Sequence, residues 1–276
     1  AISVYENLEK ELGFYIDNIQ PRDFNSIEQH SIEIFTKKSH DLSGEIYYYR
    51  NIPKGIKDMF PLFIDYDIDN KWYSVEKING LTLSNMYLSE LMNTNLLEHV
   101  MNSIKRIHNT EVNDTKDINI YFNYLLKLKE RYHNYDYSKY THHNKTYQIL
   151  KTFLEKYEND NLGKKVCIHG DTVFTNIIIN QYDKLKFIDM RGRLGKQLSI
   201  NGDWLYDWSK MYQSLLGYDE ILLNKELSKD YKNKMLNFFK NKFLEWYSET
   251  DFKNLQMITN SLIFTLIPLH DNEKCY

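Results

Sequence analysis

Three oxygen-bearing side chains in one short stretch of this sequence have the types and spacing that chemistry needs. Asp171 is followed five residues later by Asn176 and eighteen residues later by Asp189. Between them lie a β-rich run, Ile177-Ile178-Ile179, a turn at Gln181-Tyr182-Asp183, and a second run from Leu185 to Ile188. That order predicts a hairpin whose far end returns Asp189 to the neighbourhood of Asp171 and Asn176. A short apolar strand, Val166-Cys167-Ile168, leads into His169-Gly170-Asp171. Transfer of a phosphoryl group from a nucleotide asks for such a set. One carboxylate must accept or orient the proton of the attacking hydroxyl, while an amide oxygen and a second carboxylate hold the magnesium that bridges the phosphates. A lone His-Gly-Asp suits any strand-to-loop turn; the reading rests on all three residues occurring together.

The pattern H-x-D-x-x-x-x-N, then a strand ending in Asp, is the catalytic-loop and metal-site arrangement of kinases as a class. Gly170 stands where protein kinases carry arginine, and Asp189-Met190-Arg191-Gly192 replaces Asp-Phe-Gly. With those two features the chain resembles the aminoglycoside phosphotransferase and choline kinase family of small-molecule kinases. The continuation Arg191-Gly192-Arg193-Leu194-Gly195 resembles a branch associated with bacterial surface-polysaccharide synthesis. The resemblance implies an α+β, two-lobed, protein-kinase-like fold. A small antiparallel-sheet N-lobe over residues 1–80 would cover the nucleotide, and a mainly helical C-lobe over 81–276 would carry the catalytic loop, metal site and acceptor site. ATP and magnesium are the implied cofactors. The implied partner is a small-molecule acceptor with a free hydroxyl, a sugar or amino alcohol used in cell-envelope polysaccharide synthesis. In these roles Asp171 is the base and His169, beside it in the catalytic loop, supports the loop by hydrogen bonding. Asn176 and Asp189 hold magnesium.

Stepping outward, Ser31 to Thr36 alternates as a strand and ends in Lys37-Lys38. Successive strand side chains face opposite ways, so one lysine points into a cleft and the other to solvent. The resemblance makes Lys37 the contact for the ATP phosphates and Glu45, early in the next helix, its partner. An ordinary exposed Lys/Glu helix face is the plain alternative. The family's phosphate-covering loop falls around Phe24-Asn25-Ser26, which holds no glycine. That departure favours a second function: a pseudokinase, a nucleotide-binding regulatory or scaffold protein without turnover. Trp72 to Glu76 reads as an edge strand, and the resemblance implies that the backbone of Glu76 to Ile78 pairs with adenine at a hinge.

The remaining chain predicts helices. Apolar residues recur at helical spacing over residues 4–19, then along Leu97, Val100, Met101, Ile104 and Ile107, along Tyr121, Leu125, Leu128 and Tyr132, and along Tyr147, Leu150, Leu154 and Tyr157. The segment His133 to Asn144 is expected to be a mobile or substrate-facing loop, and His142-His143, without acidic partners, a solvated part of it. Asp203 occupies a helix N-cap position before Trp204, and the resemblance makes Asp207 a brace for the catalytic loop. The tyrosines and tryptophans between Trp204 and Tyr218, with Asp203, would suit a cationic amine through cation–π attraction. Trp204 and Trp208, four apart, suit a helix core face as well.

The composition bounds these readings. Thirty-five basic against thirty-eight acidic residues give a net charge of −3, which argues against nucleic-acid and membrane-surface partners. Two cysteines, Cys167 and Cys275, make no disulfide framework and fit a reducing cytoplasm. No apolar run reaches membrane-spanning length, so no membrane insertion is expected.

Overall fold

The computed structural model describes residues 25–28, 33–112 and 117–270. The helix expected over 4–19, Phe24, Ser31-Ile32 and Cys275 lie outside them. The fold is α+β and two-lobed, with a small antiparallel sheet leading into a mainly helical lobe.

Four strands build the first sheet: β1 (Asn25–Glu28), β2 (Ile34–Ser39), β3 (Phe63–Tyr66) and β4 (Trp72–Glu76), in the order β1-β2-β4-β3. All neighbours are antiparallel. β4 is therefore an interior strand, correcting the expectation of an edge. Phe63-Ile64-Asp65-Tyr66 covers its free side with a run too short to stand out by pattern alone. The register sets Lys37 opposite Tyr73 and Thr36 opposite Ser74. The latter pair shares a hydroxyl–hydroxyl hydrogen bond of 2.7 Å between buried side chains. Between β2 and β3 the chain forms α1 (Ser43–Asn51), whose Ile46, Tyr48 and Tyr49 are buried.

The expected lobe boundary at residue 80 falls in a strand, formed by Gly80 and the residues after it. They form β5 (Gly80–Thr82), which joins β7 (Ile177–Asn180) and β8 (Leu185–Phe187) in a three-stranded antiparallel sheet. Thr82 then caps α2 (Leu83–Leu88) by accepting the Asn85 N–H through its hydroxyl. Helices α3 (Thr94–His108), α4 (Leu125–Asn134) and α5 (His143–Asn159) follow. Every residue of the Leu97–Ile107 stripe and of the Tyr147–Tyr157 stripe is buried. Next comes β6 (Lys165–Cys167), paired with β11 (Asn201–Asp203), while β9 (Arg193–Leu194) and β10 (Gln197–Leu198) form a small hairpin.

At the centre of the second lobe is α6 (Trp204–Gln213), all ten of whose residues are buried. It continues through a π-helical turn into α7 (Asp219–Leu222). α8 (Lys229–Trp246), α9 (Glu249–Phe264) and α10 (Ile267–His270) complete the lobe. Trp208 is fully enclosed and meets the rings of His108, Phe239, Phe243 and Tyr247 at 5.7–6.3 Å. A helix buried on every side is central to its lobe. Among the described residues no helix is long and apolar enough to cross a membrane.

The segment expected to be a mobile or substrate-facing loop is mostly exposed but anchored by two buried tyrosines. α4 runs to Asn134, α5 begins at His143, and Tyr137 and Tyr140 between them are buried. Tyr132 stacks on Tyr147 at 3.8 Å and Tyr137 on Phe264 at 4.6 Å. The tyrosines that made the loop look polar are what anchor it.

Candidate active site

The hairpin β7–β8 brings the ends of the motif together. Ile177 pairs with Phe187, and the Ile188 N–H donates to the Asn176 carbonyl at 3.0 Å. Two residues after Asp189, the Arg191 N–H donates to the His169 carbonyl at 3.0 Å. Asp189 thus sits between two hydrogen bonds that tie its loop to the catalytic loop. Its φ of +59° is a left-handed conformation. For a non-glycine residue this costs about 1 kcal/mol, least for Asp and Asn, and it persists because the flanking bonds fix the turn.

Lys37 lies inside, 8% exposed, and its ammonium reaches both oxygens of Glu45 and Oδ1 of Asp189, each at 3.0 Å. Tyr73, across the sheet from Lys37, donates its hydroxyl to Glu45 at 2.6 Å. Burial opposes the charge on Lys37, but Asp189 and Glu45 outweigh it and hold the ammonium above lysine's ordinary range. Burial, and then Asp189, push Glu45 upward against the pull of Lys37 and Tyr73.

Glycine sets how closely α1 approaches this loop. A Cβ on Gly44 would lie 2.3 Å from the Arg191 carbonyl oxygen, and one on Gly192 (φ +60°) 1.8 Å from the Gly44 carbonyl oxygen. Backbone meets backbone there, and this contact keeps Glu45 within reach of Lys37 and Asp189. Arg193 adds an ion pair to Asp41 at 2.8 Å, just before the helix. Hydrogen bonds from Ser43, then the Arg193 guanidinium, hold the Asp41 carboxyl at about 2.

The loop from His169 to Asn176 is braced from beneath. The carboxylate of Asp207, fully buried on α6, accepts the N–H groups of His169 and Gly170, both at 2.8 Å. His108, at the end of α3, lies 3.1 Å from the same carboxylate. The Thr172 hydroxyl donates to the Asp207 carbonyl at 2.5 Å. His169 is enclosed by Tyr48, Phe60 and Phe187, and its Nδ1 accepts the Asp171 N–H at 3.2 Å. Burial holds its pKa below the ordinary histidine value. A buried, neutral ring accepting at Nδ1 shapes the loop. It is poorly placed to carry protons to solvent.

Asp171 itself sits 3.0 Å from the ammonium of Lys210, one turn beyond Asp207 on α6. Burial works against its charge, yet Lys210 and then Arg191 hold the carboxyl well below the usual carboxylate range. The Asn176 amide nitrogen donates to the Asp171 carbonyl at 3.0 Å, and its Oδ1, which accepts the Thr175 hydroxyl at 3.4 Å, has a second lone pair to offer a cation. Among the described residues no cluster of three or more His, Cys, Asp or Glu side chains could cage a metal. Magnesium needs no such cage, because it binds through one or two protein oxygens, retained waters and the phosphates of its substrate. The hard oxygens of Asp189 and Asn176 fit that demand.

At the expected hinge, the Glu76 N–H donates to the Leu62 carbonyl at 2.9 Å and the Lys77 N–H to the Glu33 carbonyl at 2.8 Å. A nucleotide contact from Glu76 would therefore use its carbonyl, with Ile78 contributing its own backbone groups. The aromatic set expected to face a cationic amine is placed differently. Trp204 and Trp208 are core, and the ring of Tyr206 already carries the Arg191 guanidinium at 5.0 Å. Asp203 accepts hydrogen bonds from the hydroxyls of Tyr124 (2.7 Å) and Tyr157 (2.9 Å), and from the Lys164 N–H (2.9 Å). It makes no helix-capping bond through its side chain.

Sequence reasoning missed Lys210, Tyr73 and His108. Lys210 and His108 carried a faint signal, as polar residues on otherwise apolar helix faces; Tyr73 carried none.

No protein-family model and no curated protein sequence matches the chain. Solved structures do. A choline/ethanolamine kinase family protein from Mesorhizobium loti superposes with a TM-score of 0.60 at 8% identity, covering 98% of this chain and 88% of that one. The choline kinase LicA from Streptococcus pneumoniae gives 0.58 at 14% identity, covering 97% and 92%. A thermostable mutant of aminoglycoside phosphotransferase APH(4)-Ia, in ternary complex with AMP-PNP and hygromycin B, gives 0.59 at 10% identity, covering 98% and 93%. At these identities the likeness is one of fold, spanning nearly the whole chain. This chain therefore has the protein-kinase-like fold that the choline kinases and aminoglycoside phosphotransferases share.

Proposed function

We propose that the protein is an ATP- and magnesium-dependent phosphotransferase acting on a hydroxyl of a small molecule. The observation that carries this reading is the joint placement of Lys37, Glu45 and Asp189 in one ionic cluster, with Asp171 and Asn176 tied to it through the hairpin. The fold neighbours add weight: two are choline or ethanolamine kinase proteins and one was captured with AMP-PNP.

On this reading Lys37 holds the nucleotide phosphates, and Glu45 holds Lys37. The backbone of Glu76 and Ile78 receives the adenine. Asp189 and Asn176 would bind magnesium, which when present neutralises phosphate charge. Asp171 orients the acceptor hydroxyl and takes its proton, while His169 and Asp207 fix the loop that carries it. Catalysis of this kind comes from positioning and electrostatics. The resemblance carried by the run Arg191 to Gly195 supports a sugar or sugar-like alcohol of cell-envelope polysaccharide synthesis as the acceptor.

The glycine-free stretch ahead of β2 favours a second reading, a nucleotide-binding pseudokinase that regulates or scaffolds without turnover. ADP release with magnesium, measured across a panel of sugars, sugar derivatives and amino alcohols, separates the two. Acceptor-dependent release supports the enzyme; nucleotide binding with no release above background for any acceptor supports the pseudokinase.

A further inference from the structure

Around Asp171 the protein gathers more cations than acids. Lys210 lies 3.0 Å from the Asp171 carboxylate and is almost wholly buried. Arg191 leans on Gly170, where a Cβ would come within 2.7 Å of its own, and lays its guanidinium over the Tyr206 ring at 5.0 Å. Lys127, half-buried on α4, feels the charges of Arg191, Lys210, Arg131 and Asp171. Among the described residues, no carboxylate lies within 4.0 Å of Lys127, Arg131 or Arg191. Among the described residues, Asp171 and, beneath the loop, Asp207 are the acids whose charge acts on this group. Burial, and then the neighbouring cations, hold the Lys127 ammonium well below lysine's ordinary range. Cations crowded without counter-charge cost folding free energy unless an anion joins them.

We infer that the acceptor is anionic: a small hydroxyl compound carrying a phosphate or carboxylate that Lys127, Arg131 and Arg191 receive while its hydroxyl faces Asp171. The inference rests on the phosphotransferase reading and makes its substrate class specific. An arginine fork matches either anion, and a choline-like or aminoglycoside-like cation would meet like charge there. In the transfer, the acceptor oxygen forms a bond to the γ-phosphorus of ATP as the bond from that phosphorus to the bridging oxygen breaks. ADP leaves, and the hydroxyl proton passes to the Asp171 carboxylate. Lys210 keeps that carboxylate ionised beforehand, as a positioning residue.

The nucleotide's own γ-phosphate is the other anion that could fill the cluster, and the test separates the two. Binding of inorganic phosphate and of glycerol 3-phosphate is measured by calorimetry on the full chain, with and without saturating AMP-PNP and magnesium. The proposal expects binding that persists with AMP-PNP bound and weakens about tenfold or more in Lys127→Met and in Arg131→Gln. Loss of both ligands when AMP-PNP binds would assign the cluster to the nucleotide and overturn it. ADP-release assays supply the second arm. Glycerol 3-phosphate, a sugar phosphate or glucuronate should outperform glucose, glucosamine and choline, and Lys127→Met should raise KM for the anionic acceptor with KM for ATP unchanged. Release supported equally by the neutral or cationic acceptors would overturn the anionic assignment and leave the phosphotransferase reading standing. Absence of release with every acceptor would sink both.

Discussion

Two ionic clusters flank the loop from Asp189 to Arg191 and are charged in opposite senses. In the one proposed to face the nucleotide, one ammonium, Lys37, stands between two carboxylates, Glu45 and Asp189. That cluster has acid to spare and invites a cation. In the one proposed to face the acceptor, one carboxylate, Asp171, stands among Lys210, Arg191 and Lys127, and that cluster has base to spare. The two meet along a single loop, since Asp189 and Arg191 are two residues apart. A phosphoryl donor needs a metal, and a negatively charged acceptor needs cations. On the proposed account one short segment serves both, with Asp189 reaching Lys37 and Arg191 lying over the Tyr206 ring.

The largest effect that could break this contrast is loss of the base. Asp171→Asn should retain the fold and ATP binding but lower kcat roughly a thousandfold, since general-base catalysis contributes about two to four decades. Steady-state kinetics with circular dichroism checks both halves, and wild-type turnover would remove Asp171 from the mechanism. Next is the brace. Asp207→Ala strips two buried backbone N–H groups of a charged acceptor and should lower the unfolding free energy by about 3 kcal/mol. Urea denaturation measures it; a change under about 0.5 kcal/mol would mean that the loop holds itself.

The nucleotide side is sharpened by Asp189→Asn, which removes a charged oxygen from a hard cation. Magnesium-dependent nucleotide affinity should fall at least about tenfold, read by titration at several magnesium concentrations. An unchanged magnesium dependence would place the metal elsewhere. The acceptor side is sharpened by Lys210→Met. Burial alone raises the pKa of Asp171, and in the wild type Lys210 opposes this. The acid limb of the kcat/KM profile should therefore move to higher pH in the variant. Stability follows the same sign. A carboxyl held below its unfolded value of about 3.9 stabilises the fold above that pH and loses the contribution as pH falls through the folded pKa. An acid limb that stays in place would uncouple the two residues.

What the sequence revealed and what it hid divide along physical lines. The hairpin was legible because Ile177 to Ile188 carries strand periodicity broken once by a turn, and such local patterns fix register. The buried stripes of α3 and α5 were legible for the same reason. β3 was not, since four residues with two exposed side chains have no pattern to read. Nor were the contacts of Lys210, His108 and Tyr73, which reach across 39, 99 and 28 residues of sequence and depend on packing alone. Gly44 and Gly192 belong with these, because only the folded chain shows the two backbones in contact. The aromatic residues near Asp203 were open to two readings, a face for a cationic amine or a helix core; packing put Trp204 and Trp208 in the core, and Tyr137 inside with them.

The central claim is that this cleft moves a phosphoryl group from ATP to a small acceptor. Incubating the full chain with γ-labelled ATP, magnesium and separate neutral, cationic and anionic acceptors, then following the label into the acceptor, tests it directly. The account predicts label in the acceptor that requires magnesium and drops about a thousandfold in Asp171→Asn. Label that stays in ATP with every acceptor, while the nucleotide binds normally, would contradict it.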